Sequence, residues 1–294
     1  DWHDAHTPIS VPEVEKKGKK VAVIGSGPAG IACAGDLAAL GYEVTVFEKL
    51  TYAGGILTYG IPTFVLPRSV VDRALKTLWA QGVEIVTGAP VDGARTVDDL
   101  FAAGYQAVFV CNGADVPQVP PGLDTTLAGV WTANDYLTQV NLHSGELPES
   151  IRAAKRVLVV GGGMIGCEAA EFLGERGHRV AVVEMREDIA ADVRPEHRRC
   201  LLKNLRESQV LVRTGARVER FYPDGVDYVL ADGTEGSLRG YDSVVLAMGT
   251  RSREELRERI AAFVPQVLVV GEAASAPGNA VQATGDALDA ALSI

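Results

Sequence analysis

Two stretches decide the fold: KKVAVIGSGPAGIACAGDLAALGYEVTVFEK, residues 19–49, and KRVLVVGGGMIGCEAAEFLGERGHRVAVVEMR, residues 155–186. The second repeats the first at a constant offset of 136, so that Val21 maps to Val157, Gly25 to Gly161, Gly27 to Gly163, Gly30 to Gly166, Gly41 to Gly177 and Glu48 to Glu184. Each copy reads as a short β-branched strand (21–24, 157–160), a glycine turn, a helix (29–40, 165–176) closed by Gly41 or Gly177, and a second strand (44–47, 180–183). Continuous apolar runs of four residues suit parallel strands buried on both faces. The unit is βαβ, made twice.

The repeat continues. YQAVFVCNG, residues 105–113, maps at the same offset to YDSVVLAMG, residues 241–249. TGAPV (87–91) echoes TGARV (214–218) at an offset of 127, so the second copy carries about nine extra residues after Val218. They fall in FYPDGVDYVLADGTEG, whose Asp-Gly pairs read as hairpin turns. A period this long marks a duplicated domain rather than a solenoid. The tail from about Val267 reads as strand, turn and alanine-rich helix and has no partner at residue 131, so it is expected to return to the first domain. The expected organisation is a leader at 1–18, a first domain at 19–117 and 255–294, and a second domain at 118–254 inserted into it.

Each glycine of G-x-G-x-x-G has its own task. The first permits the tight turn, the second lets backbone approach a pyrophosphate, and the third lets helix and strand pack closely. The helix start then offers free N–H groups to phosphate. Gly25, Gly27 and Gly30 fill these places in the first copy, and Gly161, Gly163 and Gly166 in the second. An acid stands 18 residues beyond each last glycine, Glu48 and Glu184, where it would accept hydrogen bonds from an adenosine ribose. Two dinucleotide sites are therefore expected. The acid at Glu184 favours NADH, because it would repel a 2′-phosphate; Arg186 is the residue that argues for NADPH.

The bulk numbers bound the rest. The 294 residues hold 47% hydrophobic and 22% charged side chains with a net charge of −10. An acidic balance argues against nucleic acid or an anionic membrane as partner. No apolar run reads as a transmembrane span or a signal peptide, and a cytoplasmic location is expected. Asp rather than Met comes first, which leaves room for a segment before it. The four cysteines, Cys33, Cys111, Cys167 and Cys200, show no C-x-x-C pair, metal spacing or cluster spacing, and read as isolated reduced fillers. No metal site and no catalytic acid–base pair are expected. His3 and His6 read as solvated, Trp79 and Trp131 as packing residues, and Arg68 as a candidate contact to a partner or phosphate.

These residues carry a resemblance. VAVIGSGPAGIACAGDLAALGYEVTVFEK and GGILTYGIPTFVLPRSVVDRALKTLWAQGVEIVTG (54–88) resemble the small subunit of glutamate synthase and its relatives. The second half, with VLVVGGGMIGCEAAEFL, VVEM and VVLAMG, is similar to the C-terminal region of dienoyl-CoA reductases of the Old Yellow Enzyme type. The resemblance implies the α/β fold with two Rossmann-like domains that thioredoxin reductase also has, the first for FAD and the second for NAD(H). It implies an FAD site at Gly25, Ser26, Gly27, Ala29, Gly30 and Glu48, with Gly55, Leu57, Ile61 and Pro62 near the flavin, Val91 at the adenine and Gly113 closing over the cofactor. Gly271 and Glu272 stand where relatives have Gly-Asp on the ribityl chain, and the helix after Gly278 would bring Ala280, Val281 and Gln282 to the flavin edge. In the second copy it implies a nicotinamide nucleotide at Gly161, Gly163, Met164, Ile165, Gly166, Glu184, Arg186 and Gly249. Glu168 matches a helix glutamate near the nicotinamide, against the plain reading of a first-turn acid satisfying the helix dipole.

The implied function is an FAD-dependent NAD(P)H oxidoreductase passing electrons to a partner protein with iron–sulfur clusters, as part of a complex. Two alternatives stay open: a stand-alone diaphorase or quinone-type reductase, and a non-catalytic assembly subunit, which Glu272 and Asn112 at cofactor-side positions keep in play.

Overall fold

A computed structural model describes residues 8–92, 96–120, 123, 125–143, 147, 149–252, 268–274 and 280–293. His3, His6 and Gly278 lie outside these. The chain divides into two compact units: Asp1–Val116 with Thr250–Ile294, and Pro117–Gly249.

The first unit begins with β1 (Lys20–Ile24), α1 (Pro28–Ala39) and β2 (Glu43–Phe47). Pro28 opens α1 at a position where the missing N–H is no loss. Gly41, at φ +89°, closes it: Gly41 N–H donates to Ala38 O and Tyr42 N–H to Leu37 O, the paired bonds of a Schellman motif. A four-residue helix α2 (Ile56–Tyr59), α3 (Arg68–Ala80), β3 (Glu84–Val86), α4 (Val97–Ala102) and β4 (Tyr105–Val110) follow.

The second unit runs β5 (Val130–Thr132), α5 (Ala133–Leu142), β6 (Arg156–Val160), α6 (Met164–Glu175), β7 (Arg179–Val183), α7 (Pro195–Glu207) and β8 (Leu211–Arg213). It then forms a meander of β9 (Ala216–Tyr222), β10 (Gly225–Leu230) and β11 (Glu235–Leu238), and ends on β12 (Ser243–Leu246). α6 closes as α1 does, with Gly177 N–H to Gly174 O and His178 N–H to Leu173 O. The chain returns to the first unit through β13 (Leu268–Val269), a 3₁₀ turn at Gly271–Ala273 and α8 (Ala280–Leu292).

Each unit is built on a five-stranded sheet, in the orders β13-β4-β1-β2-β3 and β5-β12-β6-β7-β8. All pairings are parallel, with Val21 beside Val44 and, at the matching place, Val157 beside Val180. The four strands β1, β2, β6 and β7 bury every residue after their first, as the apolar runs require. One face of the first sheet is covered by α1 and α8, through Cys33, Leu37, Ala283 and Ala287. In the second unit α5, α6 and α7 cover one face, and the meander covers the other by setting Val226 and Tyr228 against Leu158 and Val183. Side chains such as Leu37, Leu158 and Leu173, at 0% exposure, each contribute about 1.5–3 kcal/mol by leaving water. The Asp-Gly turns predicted after Val218 are the hairpins of this meander.

Candidate functional site

The two glycine turns are built alike. Gly25 (φ +101°) and Gly161 (φ +105°) both need the left-handed region. A Cβ at Gly25 would overlap the Cys111 carbonyl, and one at Gly161 the Ala247 carbonyl, each at the end of the strand beside the turn. A Cβ at Gly30 or Gly166 would overlap the carbonyl of Gly25 or Gly161. The first and third glycines are therefore demanded by packing. The second is different: a Cβ on Gly27 would meet nothing within 4 Å. Gly27 faces open space at the start of α1, the cradle a pyrophosphate needs.

Each turn is braced by the acid at the end of its second strand. Glu48, 4% exposed, accepts from Ser26 N–H at 3.0 Å and Ser26 Oγ–H at 2.5 Å through Oε2, and from Leu50 N–H at 2.8 Å through Oε1. Glu184, 7% exposed, accepts from Gly162 N–H at 2.5 Å and Arg186 N–H at 2.8 Å. Ser26 Oγ in turn accepts from Gly54 N–H at 2.9 Å, which draws the next loop over the first turn. Gly55 (φ +51°) lies so close that its Cβ would come to 2.8 Å from Gly27 Cα. This bracing is not contained in the motif's spacing.

Among the remaining predicted residues of the first unit, Gly271 reaches the helix that follows the turn. Gly271 (φ +65°) packs under α1, where a Cβ would stand 2.9 Å from that of Ala29. Glu272 follows it and accepts the Ser252 hydroxyl on its backbone carbonyl. Leu57 is half-buried, Val91 buried, and Val281 exposed on α8. Gly113 and Gly249, at φ +69° and +87°, end the matching segments after β4 and β12. Beside Gly25, the Asn112 Oδ1 is buried without a hydrogen-bond partner among the described residues. An orphaned polar atom, an open cradle and a rigid backbone turn all fit a bound dinucleotide.

In the second unit Met164, Ile165 and Gly166 open α6, and Arg186 is exposed. Asp192, which sequence reasoning did not single out, reaches this helix start: its two carboxylate oxygens accept from Met164 N–H at 3.0 and 3.1 Å. Glu168 is not a first-turn acid. It lies one turn into α6 at 4% exposure, and burial, then the charges of Glu171 and Asp192, push its carboxyl up to about 7. His197 Nε2 stands 4.0 Å away.

Two other expectations change. Trp79 is 54% exposed and does not pack, because Val71, Leu75 and Leu78 take the buried face of α3. Cys33 and Cys111 are not isolated: they lie together in one core cluster of the first unit, and burial raises the Cys111 thiol well above its usual range. Arg68 donates to Thr58 O at 3.2 Å and lies over the Tyr52 ring, inside its own unit. Trp131 packs against the second core, as expected. Among the described residues no group of three His, Cys, Asp or Glu could hold a metal, and no helix is long and apolar enough to cross a membrane.

Comparison with known proteins agrees with this geometry. The family model described as pyridine nucleotide-disulphide oxidoreductase matches residues 19–288. The glutamate synthase [NADPH] small chain of Bacillus subtilis (strain 168) is 40% identical over 166 residues, 53% of this chain and 33% of that protein. An NADH oxidase of Thermoanaerobacter brockii is 30% identical over 259 residues, 87% of this chain and 38% of that protein. The chain thus spans little more than a third of these relatives' length. Thioredoxin reductase of T. acidophilum superposes with a TM-score of 0.70 at 18% identity, covering 94% of this chain and 97% of that one, and shows the shared fold.

Proposed function

The chain belongs to the pyridine nucleotide-disulphide oxidoreductase family, enzymes that use FAD and NAD(P)H, and from that premise we propose that its first glycine turn holds FAD and its second NADH. The observation that carries this reading is the pair of matched turns, each ending on a buried carboxylate, with Gly27 left open at the first. Gly25, Ser26, Gly27, Ala29 and Gly30 cradle the FAD pyrophosphate, and Glu48 takes the ribose while bracing Ser26. Gly271 and Glu272 take the ribityl side, with Gly55, Leu57, Val91, Gly113 and Val281 along the remainder. Gly161, Gly163, Met164, Ile165 and Gly166 take the nicotinamide nucleotide's diphosphate, Glu184 its ribose, with Arg186 and Gly249 beside them.

Bound FAD supplies a ring that accepts hydride and releases electrons; the protein's part is to bind, orient and exclude water. No side-chain acid–base pair is required for that. Glu168, buried and poised near neutral pH, is a carboxyl of the second unit suited to hold a proton beside a nicotinamide.

The proposed acceptor lies outside this chain, on a partner protein with iron–sulfur clusters. Support comes from the 52–70 segment, which exposes Tyr52, Ile56, Phe64, Val65 and Val70 at 38–52%. Exposed apolar side chains this dense in one short segment suit a docking rim. A second reading, reduction of a small acceptor, is favoured by the match over 87% of this chain to a protein named NADH oxidase; the one family model runs across both halves, so a distinct second half of the Old Yellow Enzyme type is not supported.

The test is the absorption spectrum of the purified chain with and without NADH. A flavin band that bleaches on NADH supports the reading; a chain that retains no flavin after reconstitution with FAD overturns it.

A further inference from the structure

The two turns also differ at the start of their helices. The first residue of α1 is Pro28, which has no N–H, and Gly27 before it faces open space. The first residue of α6 is Met164, whose N–H is already taken by both oxygens of Asp192. The three atoms nearest to a Cβ on Gly163 would all belong to the Asp192 carboxylate, at 3.4–3.9 Å. The residue at the same offset in the first copy is Ile56, which carries no charge.

The segment bearing Asp192 is fixed against the turn. Ala190 adopts φ +51°, rare for a residue with a side chain, and donates its N–H to Gly162 O at 2.7 Å. Ile189 packs on Gly162. Arg198 on α7 holds the segment from the other side, bonding Asp188 at 2.5 Å and Ile189 O at 3.0 Å. Asp192 itself is exposed, so its carboxylate can swing into solvent while the backbone stays.

On the reading that this turn receives a nicotinamide nucleotide, we propose that Asp192 is a built-in competitor for the diphosphate, which keeps that nucleotide weakly held and exchangeable while FAD at the first turn is retained. The carboxylate satisfies the helix-start N–H and its positive end just as a phosphate oxygen would. An incoming diphosphate must displace a charge-assisted bond and then share the turn with a like charge.

The experiment titrates nucleotides calorimetrically into the FAD-loaded chain and its Asp192→Ala and Asp192→Asn variants. The alanine variant is expected to bind NADH and ADP-ribose about ten-fold or more tightly than wild type, the range expected for one hydrogen bond to a charged group. Asparagine keeps the bond to Met164 without the charge and is expected to fall between. Adenosine, which has no phosphate, should gain nothing, and the FAD content should not change. Equal NADH affinity in wild type and both variants overturns the competitor and leaves the nucleotide site standing. Tighter adenosine binding to the same degree also overturns it, since the effect would then not be on phosphate. If none of the three proteins binds a nicotinamide nucleotide, the reading and the competitor fall together.

Discussion

The Ser26 hydroxyl donates to the Oε2 of Glu48 at 2.5 Å, and the same oxygen accepts the Ser26 N–H at 3.0 Å. One carboxylate thus fixes the turn from the neighbouring strand, 22 positions later in the chain. The second copy keeps only the backbone half of this relationship, since Gly162 stands where Ser26 does and offers Glu184 its N–H alone. The first turn is accordingly the more rigid cradle.

Glu48→Ala should release Ser26 and remove the acceptor proposed for the FAD ribose. Hydrogen bonds to charged groups are worth about 1.5–3 kcal/mol, so FAD should bind roughly ten- to a hundred-fold more weakly. Ser26→Ala should cost less, because Glu48 keeps the Ser26 and Leu50 N–H groups. Equilibrium dialysis of FAD against the three proteins measures this. Wild-type affinity in Glu48→Ala would remove Glu48 from the site.

NADH should outperform NADPH. Glu184 is buried and bonded to backbone on both oxygens, so it cannot turn away from a 2′-phosphate. Arg186 is exposed on the adjacent loop and is the residue able to offset that repulsion. Arg186→Ala should therefore widen the preference for NADH in kcat/KM. Equal or better kcat/KM with NADPH in the wild type would defeat the assignment.

Much of this was legible because the glycine spacing, the apolar runs and the strand-end acids are local and occur twice. What escaped the sequence depends on tertiary contact. Asp192 lies in a loop with no periodicity, and only the turn at Ala190 carries it to Met164. Cys33 and Cys111 meet because β4 pairs with β1 under α1, across 78 positions. Trp79 is exposed because it follows the buried Leu78 directly: one residue turns a helix by about 100°, so the neighbour of a buried side chain faces outward.

Glu168 should make stability depend on pH. Its carboxyl lies near 7 in the folded chain against an ordinary value of 4.5, chiefly because it is buried. A raised carboxyl binds its proton more tightly folded than unfolded. Its favourable contribution is therefore full below about 4.5 and is lost as pH rises to about 7. Glu168→Gln, which cannot ionise, should gain on wild type across that window, by on the order of 3 kcal/mol at its upper end, and no further above it. Urea midpoints at a series of pH values measure the difference. A gap between the two proteins that does not change with pH would show that Glu168 titrates normally.

Electrons should leave the flavin without a cysteine relay, even though Cys33 and Cys111 touch. Exchange needs a thiolate that is both formed and reachable. Both thiols are buried and so out of reach, and burial pushes Cys111 well above its usual range, away from the thiolate. Cys167 is buried as well, donates to Gly162 O at 3.2 Å, and is pushed up to about 12. Cys200 is exposed on α7 and is the one accessible thiol, with no partner cysteine in its own unit except the buried Cys167. Replacing the three buried cysteines by alanine avoids an unmatched hydroxyl in the core, and Cys200→Ser suits the surface. The fourfold variant should retain flavin and oxidise NADH with an artificial one-electron acceptor at a rate close to wild type. Retained flavin with that activity abolished would establish a thiol step and make the buried pair its first suspect.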